Sequence, residues 1–149
     1  MALENTPFAP ADSSSPSYDE SEWPIFMVTL PRVVLSASAF RQHLDRCGEP
    51  YKRGEPFCML ITGDHPPFSA LQRKAVAEAM RAHNQLHPGL MLGCAIVNRS
   101  AVARGIITAV TWLAKPTYPF AVFPDATKAK AWLTKLLAAG RPNIGRVWD

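Results

Sequence analysis

The sequence predicts a single α/β domain with a four-stranded, mostly parallel sheet and about four helices in the order βαβαβαβα. Its 149 residues are 48% hydrophobic and 19% charged, which is enough apolar material for one core. Short apolar runs bounded by proline or glycine alternate with longer segments in which apolar residues recur at helical spacing. Strands that alternate with helices form parallel sheets whose faces the helices cover.

The first strand, the first helix and the second strand follow one another between residues 23 and 62. Trp23–Leu30 (WPIFMVTL) is apolar, short and flanked by prolines, as is typical of a strand. Ser36–Cys47 has the pattern of an amphipathic helix, whose apolar face holds Ala37, Phe40, Leu44 and Cys47. Phe57–Thr62 (FCMLIT) is continuously apolar, which predicts a strand covered on both faces.

A proline-rich turn and a capped helix come next. Gly63–Pro67 (GDHPP) ends the preceding strand, and Ser69 with Gln72 three residues later forms a capping-box pattern that begins a helix. Five apolar residues of this helix are predicted to form a buried stripe: Leu71, Val76, Ala79, Met80 and Leu86. Met91–Val97 (MLGCAIV) is the third apolar strand.

The last third of the chain predicts a helix, a strand and a helix. β-Branched residues in 101–113 favour a strand, but the length and the apolar spacing favour a helix, which we predict. Because this helix is apolar nearly all round, we expect it to be buried on two sides or to lie in a homodimer interface. Tyr118–Phe123 is a fourth strand, which Pro119 places at a sheet edge or at a strand start. Asp125 caps the final helix, whose stripe consists of Ala129, Trp132, Leu133, Leu136 and Leu137.

Charge divides the chain into two parts. Residues 1–22 carry five carboxylates and no lysine or arginine, whereas residues 23–149 carry all 16 basic residues. The first part is rich in proline and serine and predicts a flexible acidic tail, with 18–24 as its docking point on the α/β domain formed by 23–149. The basic domain is either a solvated surface balanced by the tail or a surface that binds an acidic partner. No aromatic-interleaved motif is present, so a nucleic-acid partner is not expected.

Several classes are not expected from the sequence. No apolar run approaches the roughly 18–20 residues of a membrane span, and no secretory signal begins the chain. Three cysteines, Cys47, Cys58 and Cys94, cannot all pair within one chain, which predicts buried, reduced thiols and a cytoplasmic location.

Spacing alone offers little catalytic or metal chemistry. His83 and His87 lie four residues apart, as do His43 and Cys47, but neither pair has evident third and fourth ligands, so no metal and no cofactor are expected. The sequence has no Gly-x-Ser-x-Gly elbow and no phosphate-binding glycine motif. We therefore do not expect an enzyme.

Three stretches carry a resemblance to a known superfamily. They are FCMLITGDHPPFSALQR (57–73), MLGCAIVNRSAVARGIITAVTWL (91–113) and YPFAVFPDATKAKAWLTKLL (118–137). In this order of elements the chain resembles the STAS (sulfate transporter and anti-sigma-factor antagonist) superfamily and its small bacterial SpoIIAA-like members. The resemblance implies a non-enzymatic domain that binds a protein partner or a small apolar or nucleotide ligand. In the anti-sigma antagonists a serine at the start of a helix is phosphorylated. Ser69 has a comparable place, but the usual Asp-Ser-Ser-Gly signature is absent, so we interpret Ser69 as a helix cap.

The loop after the second strand is the strongest candidate for a partner-binding site. It follows the carboxyl end of a central strand, where open α/β sheets present ligands and partners. The residues predicted to bind a partner are Asp64, His65, Phe68, Ser69 and Arg73. A second candidate is an anion site at the turn after the third strand, where Arg99 or Arg104 lies near a helix N-terminus.

The function predicted from these observations is a cytoplasmic regulatory or adaptor domain that binds a protein through residues 63–73 and its basic face. The alternative is a carrier or sensor of a small apolar or anionic ligand, with a pocket lined by the 101–113 helix and the Trp132 helix. An enzyme of unknown reaction ranks below both. A homodimer through residues 101–113 agrees with either function.

Overall fold

The computed structural model describes residues 14–114, 116 and 118–140. Along the chain the elements are β1 (Ser17–Asp19), β2 (Ile25–Thr29), α1 (Ala37–Cys47), a short 3₁₀ helix (Glu49–Arg53), β3 (Phe57–Thr62), α2 (Ala70–Leu86), β4 (Met91–Val97), α3 (Ala101–Ala114), β5 (Phe120–Phe123) and α4 (Ala126–Gly140). The alternation of strands and helices confirms the predicted α/β class, and α3 is a helix as predicted.

The five strands form one sheet in the order β1-β2-β3-β4-β5. β2 to β5 are the four predicted strands and run parallel, whereas β1 joins the edge of β2 in antiparallel orientation. One row of paired residues crosses the whole sheet: Asp19, Met27, Leu60, Ala95 and Ala121. The sheet is therefore mostly parallel, with one strand more than the sequence predicts.

The additional strand lies within the range 1–22 that the sequence assigns to the acidic tail. β1 is only three residues long, and a single aromatic residue between two polar ones is too short a pattern to predict a strand. It is held by pairing with β2 and by ion pairs just beyond it. Glu20 pairs with Arg46 and Arg53, and Glu22 with Lys130 at 3.1 Å.

Helices cover both faces of the sheet. On one face α1, the 3₁₀ helix and α2 contribute Cys47, Tyr51 and Met80 to a core around Phe26 and Met59. On the other face α4 packs alone among the described helices. Its predicted stripe is confirmed, since Ala129, Leu133 and Leu137 are buried against β2, β3 and β4.

Two predicted core positions of α2 are wrong. Leu71 is 80% exposed and Leu86 is 74% exposed, whereas Met80 is buried. At about 100° of rotation per residue, Leu71 lies about 180° and Leu86 about 120° around the helix from Met80. Neither side chain can therefore reach the sheet that Met80 packs against.

The helix α3 is less buried than its composition predicts. None of residues 101–111 is fully buried, and Val102 and Ile106 are among the most exposed large apolar side chains of the described chain. Burial on two sides within one chain is therefore wrong, and the homodimer alternative stays a prediction. No helix in the described ranges combines the length and the apolarity needed to cross a membrane.

The structure confirms the predicted caps of two helices and the state of the cysteines. Ser69 caps α2 with both bonds of the capping box, at 3.1 Å to the amide of Gln72 and 3.0 Å in return. Asp125 accepts from the amide of Lys128 at 2.9 Å at the start of α4. All three cysteines are buried and free, as predicted.

Candidate functional site

An apolar groove of about 300 Å³ lies between α2 and α3, above β3, β4 and β5. We call it the α2–α3 groove. Its floor consists of Met59, Ile61, Cys94, Ile96 and Phe120. The lining continues to Thr62 and Val97, the last residues of β3 and β4, so one end of the groove lies at the carboxyl edge of the sheet, where α/β proteins bind ligands.

The α2 wall follows from the spacing of its residues. The side chains that face the groove are Arg73, Val76, Ala77, Met80, Arg81 and Asn84. They recur three or four positions apart and so share one helix face. At a rise of about 1.5 Å per residue, this wall is about 16 Å long. The groove is therefore elongated along α2.

The α3 wall is short and aliphatic. Ile106, Ile107, Val110 and Thr111 face the groove, and the hydroxyl of Thr111 donates to the carbonyl of Ile107 at 2.8 Å. Because that hydroxyl is satisfied within its own helix, it adds little polarity to the wall. None of these α3 side chains is fully buried. The space between the helices is thus left open instead of being filled by their side chains.

The loop after β3 closes one end of the groove. Gly63 begins it with φ of 114°, next to the backbone of Leu30. Phe68 packs edge-on against Phe40 of α1, with ring centroids 5.3 Å apart, and against His65 at 4.9 Å. Arg73 of α2 donates to the Phe68 carbonyl at 2.7 Å. The loop is therefore fixed both to α1 and to α2.

His65 places a polar atom in this apolar environment. Desolvation lowers the pKa of His65, opposed by a backbone hydrogen bond at Pro66. Nε2 of His65 is buried and has no partner among the described residues. His65 is therefore neutral near pH 7 and has one buried ring nitrogen without a partner in the described chain.

Buried His43 lies beside the loop and also lines the groove. The Tyr18 hydroxyl is 2.7 Å from His43 Nδ1, and Cys47 Sγ is 3.7 Å from Nε2. Burial, then the neighbouring His65, lowers the pKa of His43 to about 4, and burial raises the pKa of Cys47 to about 12. Both groups are therefore neutral near pH 7, and the pair does not supply a thiolate nucleophile.

Asn84 lies toward the opposite end of the α2 wall. The hydroxyl of Tyr51 donates to Asn84 Oδ1 at 3.0 Å. The other amide atom, Nδ2, is buried without a partner in the described part of the chain. Tyr51 is only 1% exposed, so its hydroxyl has little access to water as an alternative partner. Two residues that line the groove, Asn84 and His65, thus each have a buried polar atom without a partner among the described residues.

Metal ligation finds no support in the described ranges, where no three His, Cys, Asp or Glu side chains lie close enough together to hold an ion. The two histidines whose four-residue spacing suggested half of a zinc site pack against an aromatic ring instead. The rings of His83 and His87 lie 5.2 and 5.8 Å from the ring of Tyr51.

The predicted partner-binding residues separate into two groups. His65, Phe68 and Arg73 line the α2–α3 groove. Asp64 lies outside it on the exposed surface, 3.6 Å from Arg32 and 3.8 Å from Arg99, and Ser69 is engaged as the cap of α2.

The two arginines of the predicted anion site have partners within the protein. Arg104 donates to the carbonyls of Asn98 and Arg99 at 2.9 and 3.1 Å. The side chain of Arg99 pairs with Asp64. These contacts use both arginines to fix the turn before α3.

The sequence predicts a pocket between the 101–113 helix and the Trp132 helix. The first of these helices lines the groove, but the second does not. α4 covers the opposite face of the sheet, where Trp132 packs against Phe123 at 5.5 Å. The second wall is α2. A signal for this was present in the sequence, because Asn84 interrupts the stripe of Val76, Ala77 and Met80 with a polar residue on the inner face.

Comparisons with known proteins do not add to this description. No family model, no curated protein and no solved structure gives a significant match to the chain.

Proposed function

We propose that the protein binds a small, mostly apolar ligand in the α2–α3 groove. The observation that carries the proposal is the groove itself, which has a volume of about 300 Å³, is elongated and is walled by aliphatic and aromatic side chains. Two of its lining residues each have a buried polar atom without a partner in the described part of the chain. Ligand sites in proteins share this combination of apolar walls and a few polar groups, and their volumes begin at about 300 Å³.

Packing physics supports a ligand rather than empty space. Protein interiors are packed about as densely as organic crystals, and an apolar cavity gains little from water because water finds few hydrogen bonds there. A ligand that removes the groove walls from water gains free energy roughly in proportion to the apolar area it covers. The elongated shape favours an extended or flat molecule over a spherical one.

The electrostatics of the groove favour a neutral body for this ligand. His43 and His65 face it in neutral form, because burial lowers both pKa values. The two cations that line it, Arg73 and Arg81, are exposed residues. A full charge placed between the helices would lose its hydration without gaining a buried counter-ion, which is costly.

Retention of a ligand is the first test. We expect native mass spectrometry of gently purified protein to show an added mass that organic solvent extracts. The extracted protein should then bind Nile red, a neutral apolar dye, with increased fluorescence. Bare protein in every gentle preparation, together with no Nile red binding, would refute the proposal.

A matched pair of variants locates the binding. Ala77 faces the groove, whereas Ala82 is exposed on the same helix. Ala77→Phe should fill the groove and remove Nile red binding, while Ala82→Phe should bind the dye like the wild type. Equal dye binding by all three proteins would place the dye elsewhere on the molecule.

We infer a second function from a different observation, the exposure of Leu71 at the start of α2. Leu71 is 80% exposed, and Asp64 and Arg73 bring opposite charges to the same loop–helix region. Protein contacts combine an apolar centre with a polar rim, and an exposed leucine in a region that also holds charged residues fits this pattern. This supports the adaptor function predicted from residues 63–73, in which the basic face contributes to binding.

Affinity capture with matched variants tests the adaptor. A stoichiometric protein partner should be lost on Leu71→Ser and retained on Leu86→Ser, because Leu86 is similarly exposed but lies at the other end of α2. A partner that binds both variants equally well does not use this surface, and the adaptor proposal would then fail.

We also propose that the chain is a divergent STAS-like domain that works in a reducing compartment such as the cytoplasm. Regular alternation of strands and helices from β2 to α4 supports the first part. Three buried, unpaired cysteines support the second, because oxidising compartments favour disulfides. A solved structure of a close relative, or localisation of the tagged protein, tests each part separately.

A further inference from the structure

We propose that the ligand of the α2–α3 groove carries a neutral hydrogen-bond acceptor, such as a ketone or ether oxygen, that binds Nδ2 of Asn84, and that Tyr51 holds the Asn84 amide in the orientation this requires. The inference rests on the proposed ligand-binding function and adds the chemical class of the ligand. It also assigns a binding residue and a positioning residue.

Tyr51 is built into the core in a way that fixes its hydroxyl. Its ring packs edge-on against Phe57, with centroids 5.0 Å apart, and stacks on His83 at 5.2 Å. From this position the hydroxyl donates to Asn84 Oδ1 at 3.0 Å. The amide oxygen of Asn84 is thereby engaged with the core, and the amide nitrogen is the end that remains for a ligand.

A bound ligand would explain why the amide nitrogen of Asn84 has no hydrogen-bond partner among the described residues. Buried polar atoms in proteins almost always have a hydrogen-bond partner, so a buried N–H without one calls for an explanation. Nδ2 of Asn84 is such an atom in the described chain, and its residue lines the groove. An acceptor on the ligand would satisfy it and would favour ligands with an acceptor over hydrocarbons of the same shape.

The surroundings favour a neutral acceptor over a carboxylate. Asn84 offers one uncharged donor, and the groove that it lines also includes the uncharged side chains of Met80 and Cys94. Arg81, one turn earlier on the same wall, is exposed and has its charge available to solvent. A carboxylate at Asn84 would lose its hydration for a single hydrogen bond, whereas a ketone loses much less.

Three probes of one shape test this selectivity. Acetylnaphthalene carries a ketone, isopropylnaphthalene replaces it by a hydrocarbon of the same size, and naphthoate carries a carboxylate. Each is titrated against Nile red bound to the wild-type protein. We expect the ketone to bind more tightly than the carboxylate. The ratio of ketone to hydrocarbon affinity should fall about three- to tenfold in Asn84→Leu.

Variants on either side of Asn84 separate its role from that of the helix. Gln85 is exposed on the same turn of α2, so Gln85→Leu should leave the ratio unchanged. Asn84→Asp keeps an oxygen for Tyr51 but removes the donor, and should weaken the ketone more than the hydrocarbon. Tyr51→Phe should retain hydrocarbon binding but reduce the ketone preference, an effect that a purely structural role would not produce. Thermal melts identify any variant that has lost its fold.

The outcomes distinguish this inference from the function on which it rests. If Nile red and the hydrocarbon bind but the affinity ratio is the same in the wild type and Asn84→Leu, the assignment of Asn84 is wrong and ligand binding stands. If naphthoate binds most tightly, the acceptor is anionic and the neutral class is wrong. If neither the dye nor any probe binds, the proposed function fails and this inference fails with it.

Discussion

The hydroxyl of Tyr18 lies 2.7 Å from Nδ1 of His43, which joins the edge strand β1 to the buried face of α1. The Tyr18 ring also stacks on Phe26 at 5.9 Å, and the Arg46 guanidinium lies 4.8 Å above it. Burial, then the neighbouring Cys47, raises the pKa of Tyr18, so its hydroxyl stays protonated and shares a hydrogen bond with the imidazole. A strand of three residues is thus held by one side chain as well as by backbone pairing.

Removing this hydroxyl should destabilise the protein. Tyr18→Phe leaves the buried Nδ1 of His43 without its hydrogen-bond partner, and an unsatisfied buried group costs about 1–3 kcal/mol. We expect the free energy of unfolding in urea to fall by about 1–2 kcal/mol. Tyr18→Leu, which also removes the ring contacts, should cost more. If Tyr18→Phe unfolds at the wild-type urea concentration, the hydrogen bond contributes nothing to stability.

Acid should destabilise the fold through His43. Its pKa lies at about 4 in the folded protein, against an ordinary value of 6.5. Between these values the unfolded chain binds the proton and the folded chain does not, so stability falls as the pH falls. The contribution of His43 is complete above about pH 6.5, is lost progressively towards pH 4, and amounts to roughly 3 kcal/mol.

Urea unfolding at a series of pH values measures this dependence. His43→Gln keeps a side chain that can hydrogen-bond to Tyr18 but does not titrate, so its stability should change less between about pH 7 and about pH 4 than that of the wild type. Other groups that titrate in this range contribute to both proteins alike. Parallel pH profiles for the two proteins would show that His43 is not the source of acid sensitivity.

The turn that leads from β3 into the groove should require glycine at position 63. Gly63 has φ of 114°, and a Cβ there would collide with the backbone of Leu30. Backbone strain and overpacking together should make Gly63→Ala cost about 3 kcal/mol or more. Gly54 is the matched control, because it also has positive φ but has open space around it. Gly54→Ala should cost only about 1 kcal/mol, measured by thermal unfolding. Equal costs would mean that the close approach to Leu30 is relieved by a small shift.

The exposed face of α3 should mediate self-association, the homodimer predicted from the sequence. Val102 is 74% exposed on a helix whose described positions carry one charged residue, Arg104. Sedimentation of the wild type should therefore depend on concentration, and Val102→Lys should remove that dependence. Leu86→Lys, with the same exposure on α2, should not. A wild-type monomer at every concentration would refute the dimer.

The sequence by itself determined the order and the type of the main elements. FCMLIT is apolar at every position except its last, which requires cover on both faces, and the structure provides α1 and α2 on one side and α4 on the other. Ser69 with Gln72 sets the start of α2 by local hydrogen bonds that need no tertiary partner. Such features depend on residues a few positions apart, and a single chain shows them directly.

Only the tertiary structure decided where the groove lies and what it contains. Apolar periodicity shows that α2 has an inner face, but it does not show that α3 packs beside α2 while α4 packs on the opposite face. β1 escapes prediction for the same reason, since its pairing with β2 and the contact from Tyr18 to His43 join residues far apart in sequence. The hydrogen bond from Tyr51 to Asn84 spans 33 positions. The free donor that it leaves in the groove therefore becomes visible only when the chain is folded.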